Sequence, residues 1–341
     1  MEQITIKEVA KLCGVGVSTV SRAINNHPDI NEETKKKVMD IIKEYNYVPN
    51  NSARNLKRID SNTIAVLVKE VSNPFWGKML EALEREVTER KYSFVLQNVE
   101  DEQNEVDVAV LLQKEKRLKG IVFLGGMFNY DDEQLAQLTV PFVLCGSGRT
   151  LPHVSKKCAI VTSDGAVDSY VMVDYLCKCG HKKIVLLTVS DNGGLGTLHL
   201  EGYIRALKEN GITYDEKLVI NFEKTERIYT IQNGYEATVE LLNSGLDFTC
   251  IYAISDTLAI GACRAIFDSG KKVPEDYSVA GLDGLDIAEY YRPSITTMFK
   301  YREKIAKESI KTLFALIDGK EVERVRMINA KLIERESTSR I

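Results

Sequence analysis

Apolar positions in the first 45 residues recur at helical spacing. Ile6, Val9, Ala10 and Cys13 fall at i, i+3, i+4 and i+7, which is a single face. Thr5-x-x-Glu8 has the capping-box pattern that opens a helix, and Gly14 stops it. A second helix starts near Gly16 with Val20, Ala23 and Ile24 as its apolar stripe. Ser18, Ser21, Arg22 and Asn25 repeat the spacing on the opposite face, and Asn25-Asn26-His27-Pro28 ends the run. Asn31 caps a third helix whose face is Val38, Ile41, Ile42 and Tyr45. Three short helices share a small core, the first two joined at Cys13-Gly14-Val15, as in a helix-turn-helix. A plain three-helix domain with a solvated polar face fits the same spacing.

The pattern then changes. Asn50 to Arg58 is polar with one large apolar residue, Leu56, and an isolated helix of that length is not stable in water. It reads as a linker. From residue 61 strand-like and helix-like stretches alternate. Strands are expected at 64–68, 94–97, 120–124, 142–145, 159–162, 184–188, 249–254 and 278–282. Helices are expected at 76–90, 105–116, 166–179, 198–210, 228–243 and 257–268. Repeated β-α-β-α predicts parallel sheets covered by helices on both faces, and two such runs predict two similar lobes.

Composition narrows the function classes. The 341 residues are too many for one core. The 44% hydrophobic and 28% charged residues are an ordinary globular balance, which excludes a disordered or collagen-like chain. No run of ~18 apolar residues occurs, so no membrane span is expected. Met1-Glu2-Gln3 opens neither a basic nor an apolar signal segment, and a cytoplasmic protein is expected. The seven cysteines (13, 145, 158, 177, 179, 250 and 263) are scattered without a C-x-x-C, and read as buried free thiols with no metal and no cofactor. Net charge is −4, but residues 1–60 hold ten Lys/Arg against eight acids. A mildly basic head precedes an acidic body, which is compatible with nucleic-acid binding by the head.

The residues of the head go further. Ile4-Thr5-Ile6-Lys7-Glu8-Val9-Ala10-Lys11, Gly14-Val15 and Thr19-Val20-Ser21-Arg22 closely resemble the start of the LacI/GalR family of bacterial repressors. Thr34, Tyr47-x-Pro49-Asn50 and Ala53-Arg54-x-Leu56 continue the resemblance. One departure is Gly16, where the family usually has a Ser cap; Gly caps at modest cost. The resemblance implies that Val17, Ser18 and Arg22 read bases. Thr5, Thr19, Ser21, Asn25, Thr34 and Tyr47 would hold phosphates and set register. Val17 would meet a thymine methyl, or else join the core beside Val20. Asn50, Ala53, Arg54, Leu56 and Lys57 would belong to a hinge helix that forms in the minor groove, with Leu56 wedged between base steps. His27 is a loop residue near a phosphate on this reading.

The body resembles the periplasmic-binding-protein-like core of the same family. The landmarks are Ser72-Asn73-Pro74-Phe75, Gly180-His181-Lys182-Lys183-Ile184, Gly202-Tyr203-x-x-Ala206-Leu207 and Ser255-Asp256-x-x-Ala259-x-Gly261. Further on come Val273-Pro274-x-Asp276-x-Ser278-Val279-x-Gly281-x-Asp283, Pro293-x-x-Thr296-Thr297 and Ile333-x-Arg335-x-Ser337-Thr338. The resemblance implies a small all-α helix-turn-helix domain over residues 1–46 and a hinge and linker over 47–60. An α/β two-lobed core with parallel sheets would occupy 61–341. Lobe one would take about 61–161 and 294–320, and lobe two about 162–291 and 322–341, with crossings near 162, 291 and 322.

An effector would bind in the cleft, beyond the C-terminal ends of the strands. Asn73, Phe75 and Trp76 would face it from the first lobe, and Phe222, Asp256 and Asp283 from the second. Ordinary core packing for Phe75 and Trp76, and capping or turn roles for the two aspartates, are the plainer alternatives. Two positions depart from the sugar-sensing members. Gly146 stands where many carry an Asp, and His199 where they carry an Arg. His199 would bind a ligand hydroxyl or phosphate, titrate near neutral pH, or pack structurally.

Enzyme motifs fail. Asp191-Asn192-Gly193-Gly194-Leu195-Gly196 looks like a dinucleotide loop, but position 199 is His where a third glycine is needed. Gly146-Ser147-Gly148 lacks the Gly two residues before the Ser. The expectation is a non-enzymatic, DNA-binding transcriptional regulator acting as a repressor. It would be a homodimer on a near-palindromic operator, controlled by a sugar or sugar-derived effector. A phosphorylated metabolite or a protein co-regulator is the alternative controller, and a solute-binding protein is a distant one.

Overall fold

The computed structural model describes residues 4–24, 27, 29–45, 62–100, 102–125, 132–146, 157–189, 194–222 and 228–341. The chain divides into two compact units, Met1–Ser61 and Asn62–Ile341.

The first unit holds α1 (Ile6–Cys13), α2 (Val17–Ile24) and α3 (Glu32–Glu44), and caps at Thr5 and Asn31 set the starts of α1 and α3. Thr5 N donates to Glu8 Oε2 at 2.7 Å while Glu8 N donates to Thr5 Oγ1 at 3.4 Å, a reciprocal capping box. Gly14 ends α1 at φ 65°, a conformation that suits glycine. The Gly16 carbonyl accepts from Thr19 N at 2.9 Å, so α2 starts without the serine cap. Asn31 Oδ1 accepts from Glu33 N and Thr34 N. The apolar faces meet in one core of Val9, Ala10, Cys13, Val20, Ala23 and Val38.

In the second unit the alternation continues. Its first half runs β1 (Thr63–Lys69), α4 (Pro74–Glu89), β2 (Ser93–Val99), α5 (Glu105–Lys116), β3 (Gly120–Leu124), α6 (Asp132–Ala136), β4 (Phe142–Cys145) and β5 (Cys158–Thr162). The middle runs α7 (Gly165–Lys178), β6 (Ile184–Val189), α8 (Leu195–Glu209), β7 (Val219–Phe222), α9 (Ile231–Asn243), β8 (Cys250–Ala253), α10 (Asp256–Asp268) and β9 (Ser278–Asp283). Then follow α11 (Asp286–Tyr290), β10 (Thr296–Phe299), α12 (Arg302–Ile317), β11 (Val325–Met327) and β12 (Lys331–Ile333).

Among the described residues the strands form two six-stranded sheets, ordered β11-β5-β4-β3-β1-β2 and β12-β10-β9-β8-β6-β7. All the pairs are parallel except β10 with β12. β3 and β6 are buried at every position, as strands covered on both faces must be. The order reverses around β1 in one sheet and around β6 in the other, and ligands bind outside strand ends at such switch points.

The chain crosses between lobes three times. The first crossing lies at Ser163 and Asp164, between β5 and α7. The second and third fall later than 291 and 322. β10 pairs in parallel with β9, Thr296 beside Ala280, so it belongs to the second lobe and the crossing lies at Lys300 and Tyr301. β11 pairs with β5, Val325 beside Ile160, so the first lobe extends through Met327 and the crossing lies between it and Lys331. Sheet pairing sets these boundaries, and strands of three or four residues leave no readable period. The cysteines are free thiols, all buried except the half-buried Cys177.

Candidate functional sites: the helical head and the inter-lobe cleft

The exposed face of α2 carries Val17, Ser18, Ser21 and Arg22, with Thr19 half-buried beside them. Val17 is 42% exposed, which overturns its alternative reading as core. Thr5 is exposed at the start of α1 and Thr34 half-buried in the first turn of α3. Arg22 Nη1 donates to Asp29 Oδ2 at 3.0 Å, a contact no sequence period signals. Asn25, Tyr47, Asn50, Ala53, Arg54, Leu56 and Lys57 lie outside the described residues.

In the second unit the strand ends converge on a cavity of about 60 Å³ between the lobes. Asn73, Phe75, Trp76, Gly146, His199 and Asp283 all line it. Asn73 caps α4 by accepting from Phe75 N at 3.0 Å, which fixes where the two aromatic residues enter the helix. Phe75 and Trp76 meet edge to face at 4.8 Å. The indole lies against two glycines, Gly125 and Gly146, both at φ 74°. A Cβ on Gly125 would come within 2.8 Å of Trp76 Cζ2, and one on Gly146 within 3.3 Å of Cζ3. The indole thus crowds the position where sugar-sensing relatives hold an Asp side chain. Trp76 is 8% exposed, and its Nε1 has no hydrogen-bond partner among the described residues.

Sequence reasoning missed Lys300. It sits on the second crossing with a nearly buried side chain, its Nζ 3.7 Å from Asp283 Oδ1 and 5.4 Å from the Phe75 ring centre. Its charge is felt across the cleft. Burial holds the Asp283 carboxyl above the usual carboxylate range, Lys300 opposes that shift, and Asp256 adds to it. Asp283 has φ 123°, a left-handed conformation that marks a constrained turn at the end of β9.

His199 is 2% exposed and bonds Ser169 Oγ through Nδ1 at 2.8 Å, and Ser169 in turn meets Tyr252 OH at 2.8 Å. Burial, then Lys300, pushes its pKa down to about 3. Burial therefore favours the neutral ring, against the expectation of titration near neutral pH. The ring packs through the Ser169 bond and presents one edge to the cavity wall.

Two expected cleft residues are not brought to the cavity. Asp256 is fully buried behind it: Thr297 Oγ1 donates to Oδ1 and Leu285 N to Oδ2, both at 2.6 Å. It ties β10 and the turn after β9 to α10, while Ser255 caps that helix. Phe222 ends β7 and is half-buried against the second lobe's core. Both sit at strand ends, which the sequence shows, but the side-chain directions depend on packing. His181 is packed, bonded to Thr249 Oγ1 and Ser339 O.

A second, larger hollow of about 600 Å³ lies outside the cleft, between α4 and the start of α12. Lys78, Arg85, Lys300, Arg302, Lys304 and Lys307 line it, with Glu86, Glu89 and Glu303. Lys78 Nζ reaches Asp286 Oδ1 at 2.6 Å and so bridges the lobes beside it. No helix among the described residues is long and apolar enough to cross a membrane.

Residues 5–50 match the family described as bacterial regulatory proteins, lacI family, and residues 173–338 match a periplasmic binding protein-like domain. The HTH-type transcriptional regulator MalR of Clostridium butyricum is 39% identical over 336 residues, covering 98% of this chain and 99% of its own. The lac repressor dimer bound to operator and the anti-inducer ONPF is 25% identical with a TM-score of 0.73, covering 99% of this chain and 100% of that one. The transcriptional regulator CelR in complex with cellobiose is 28% identical with a TM-score of 0.69, covering 98% and 100%. The chain belongs to the LacI family of bacterial transcriptional regulators.

Proposed function

We propose that this chain is a repressor that binds a near-palindromic operator as a homodimer, and that a neutral sugar in the inter-lobe cleft changes its operator affinity. The observation that carries the sugar is Trp76. Its indole forms a wall of the cleft while its buried N–H has no acceptor among the described residues. An unmet buried donor costs about 1–3 kcal/mol, which a ligand hydroxyl recovers. An aromatic face also suits the apolar face of a sugar ring, and Lys300, Asp283 and Asn73 offer polar partners around it. The similarity to the cellobiose complex of CelR supports the same class of ligand.

On the DNA, Val17, Ser18 and Arg22 read base edges, and Thr5, Thr19, Ser21 and Thr34 hold phosphates with Asn25 and Tyr47. Asn50, Ala53, Arg54, Leu56 and Lys57 form the hinge in the minor groove. The coupling is linkage: an effector that favours one lobe arrangement changes DNA affinity by its differential binding to the two states. A cavity of about 60 Å³ is small beside the ~300–1,000 Å³ of ligand sites, so the lobes open about the three crossings to admit a sugar.

The test is thermal unfolding of the full chain against neutral sugars and sugar phosphates. A ligand at ~100 times its dissociation constant adds ~2.7 kcal/mol of stability. A shift with a neutral sugar supports the proposal. A shift only with phosphorylated compounds contradicts it and favours a second reading, in which the same regulator is controlled through the outer groove. The excess of six cationic side chains over three glutamates in that groove favours an anionic ligand there.

A further inference from the structure

We propose that Asp29 is a positioning residue for sequence reading by Arg22, an inference that rests on the assignment of Arg22 to a base edge. Arg22 stands in the last turn of α2, and Asp29 lies between α2 and α3. Arg22 Nη1 donates to Asp29 Oδ2 at 3.0 Å. The other carboxylate oxygen bonds His27 Nδ1. Asp29 is thus tied through both oxygens, to the reading arginine on one side and to the loop on the other.

A guanidinium is a planar fork of N–H donors. The bond to Asp29 engages it at Nη1. Among the described residues Nε and Nη2 make no other bond, and these two parallel donors form the edge that matches guanine O6 and N7. Arg22 and Asp29 are each at least half exposed, so their pairing adds little to the stability of the head. Its consequence is geometric: a long side chain is held in one direction before DNA arrives, so less freedom is lost on docking. The carboxylate charge meanwhile repels phosphates of any sequence. Asp29 therefore raises discrimination between sequences while lowering affinity for DNA in general, and these opposed signs distinguish it from a residue that merely supports the fold.

The experiment uses the full chain. An operator is first selected from a random duplex library. Wild type, Asp29→Ala, Asp29→Asn and Arg22→Ala are then titrated with that operator, with single-base variants of it, and with a random-sequence duplex. Arg22→Ala identifies the base position that Arg22 reads. At that position, discrimination by Asp29→Ala falls by about fivefold or more, while affinity for the random duplex stays equal or rises. Asp29→Asn keeps an acceptor for Nη1 and retains part of the discrimination. If specific and random affinities rise together, Asp29 is a competitor for Arg22 and the proposal is wrong. Equal losses at every position, or no change, also overturn it. If Arg22→Ala itself leaves every base preference intact while DNA is still bound, the base-reading assignment has failed, and this inference with it.

Discussion

Gly146 and Trp76 constrain each other. Gly146 turns at φ 74° after β4, and a Cβ there would lie 3.3 Å from Trp76 Cζ3 and 3.4 Å from Cη2. A side chain at 146 therefore crowds the indole, which must give by a few tenths of an ångström to admit one. Gly146→Asp is expected to lower stability by about 1–3 kcal/mol through crowding and the left-handed backbone. Trp76→Ala should relieve the crowding part, so the two changes are non-additive in a double-mutant cycle read by chemical denaturation. Strict additivity would show that the contact does not matter.

Trp76→Phe keeps an aromatic wall and removes the unpaired N–H. The expected outcome is weaker sugar binding by about 2- to 10-fold with operator binding unchanged, measured by calorimetry and by DNA titration of the same preparation. Unchanged sugar affinity would remove Trp76 Nε1 from the site.

Acid and base both lower the stability of the cleft, through different groups. His199 has a folded pKa of about 3, held down by burial and then by Lys300, against ~6.5 unfolded. Between those values the unfolded chain binds more protons, so stability is lost as pH falls from about 6.5 toward 3. Asp283 is shifted upward by burial, with Lys300 opposing and Asp256 adding. Its contribution is full below the ordinary carboxylate pKa of ~4 and is lost as pH rises through its higher folded value. Melting profiles from pH 4 to 8 should show His199→Asn flattening the acid limb and Asp283→Asn flattening the fall toward neutrality. Parallel profiles for wild type and variants would contradict both assignments.

Asp256→Ala removes the acceptor of the Thr297 hydroxyl and the Leu285 N–H in a fully buried place. Orphaning these donors is expected to cost about 2–4 kcal/mol in denaturant unfolding and to loosen the turn that carries Asp283. Sugar affinity should fall through that turn. A loss of sugar affinity with stability unchanged would instead put Asp256 in contact with the ligand.

Much of this was legible in the sequence because local rules set it. Thr5-x-x-Glu8, Asn31 and the glycine after Cys13 bound their helices, and apolar runs such as Gly120–Leu124 and Phe142–Cys145 are strands at those same residues. Beyond Leu282 the alternation read from the sequence stops, yet the chain continues through α12, whose buried Ile305, Ala306, Ile310 and Leu313 keep a helical period. What was hidden is decided by tertiary pairing. The sheet to which Thr296–Phe299 belongs depends on β9 beside it, and Lys300 reaches the cleft only because the chain crosses there. Asp256 and Phe222 occupy the expected strand ends, but packing turns them away from the cavity.

The most direct test of the account is one titration in two forms. The full chain is titrated with its selected operator, with and without 10 mM of each neutral sugar, maltose and cellobiose included, and the series is repeated with Trp76→Ala. One sugar is expected to shift the operator dissociation constant about fivefold or more, the lower end of usual allosteric coupling, and the shift should vanish in the variant while DNA binding persists. If no neutral sugar moves operator affinity, or if Trp76→Ala responds as wild type does, the cleft is not where this regulator is controlled.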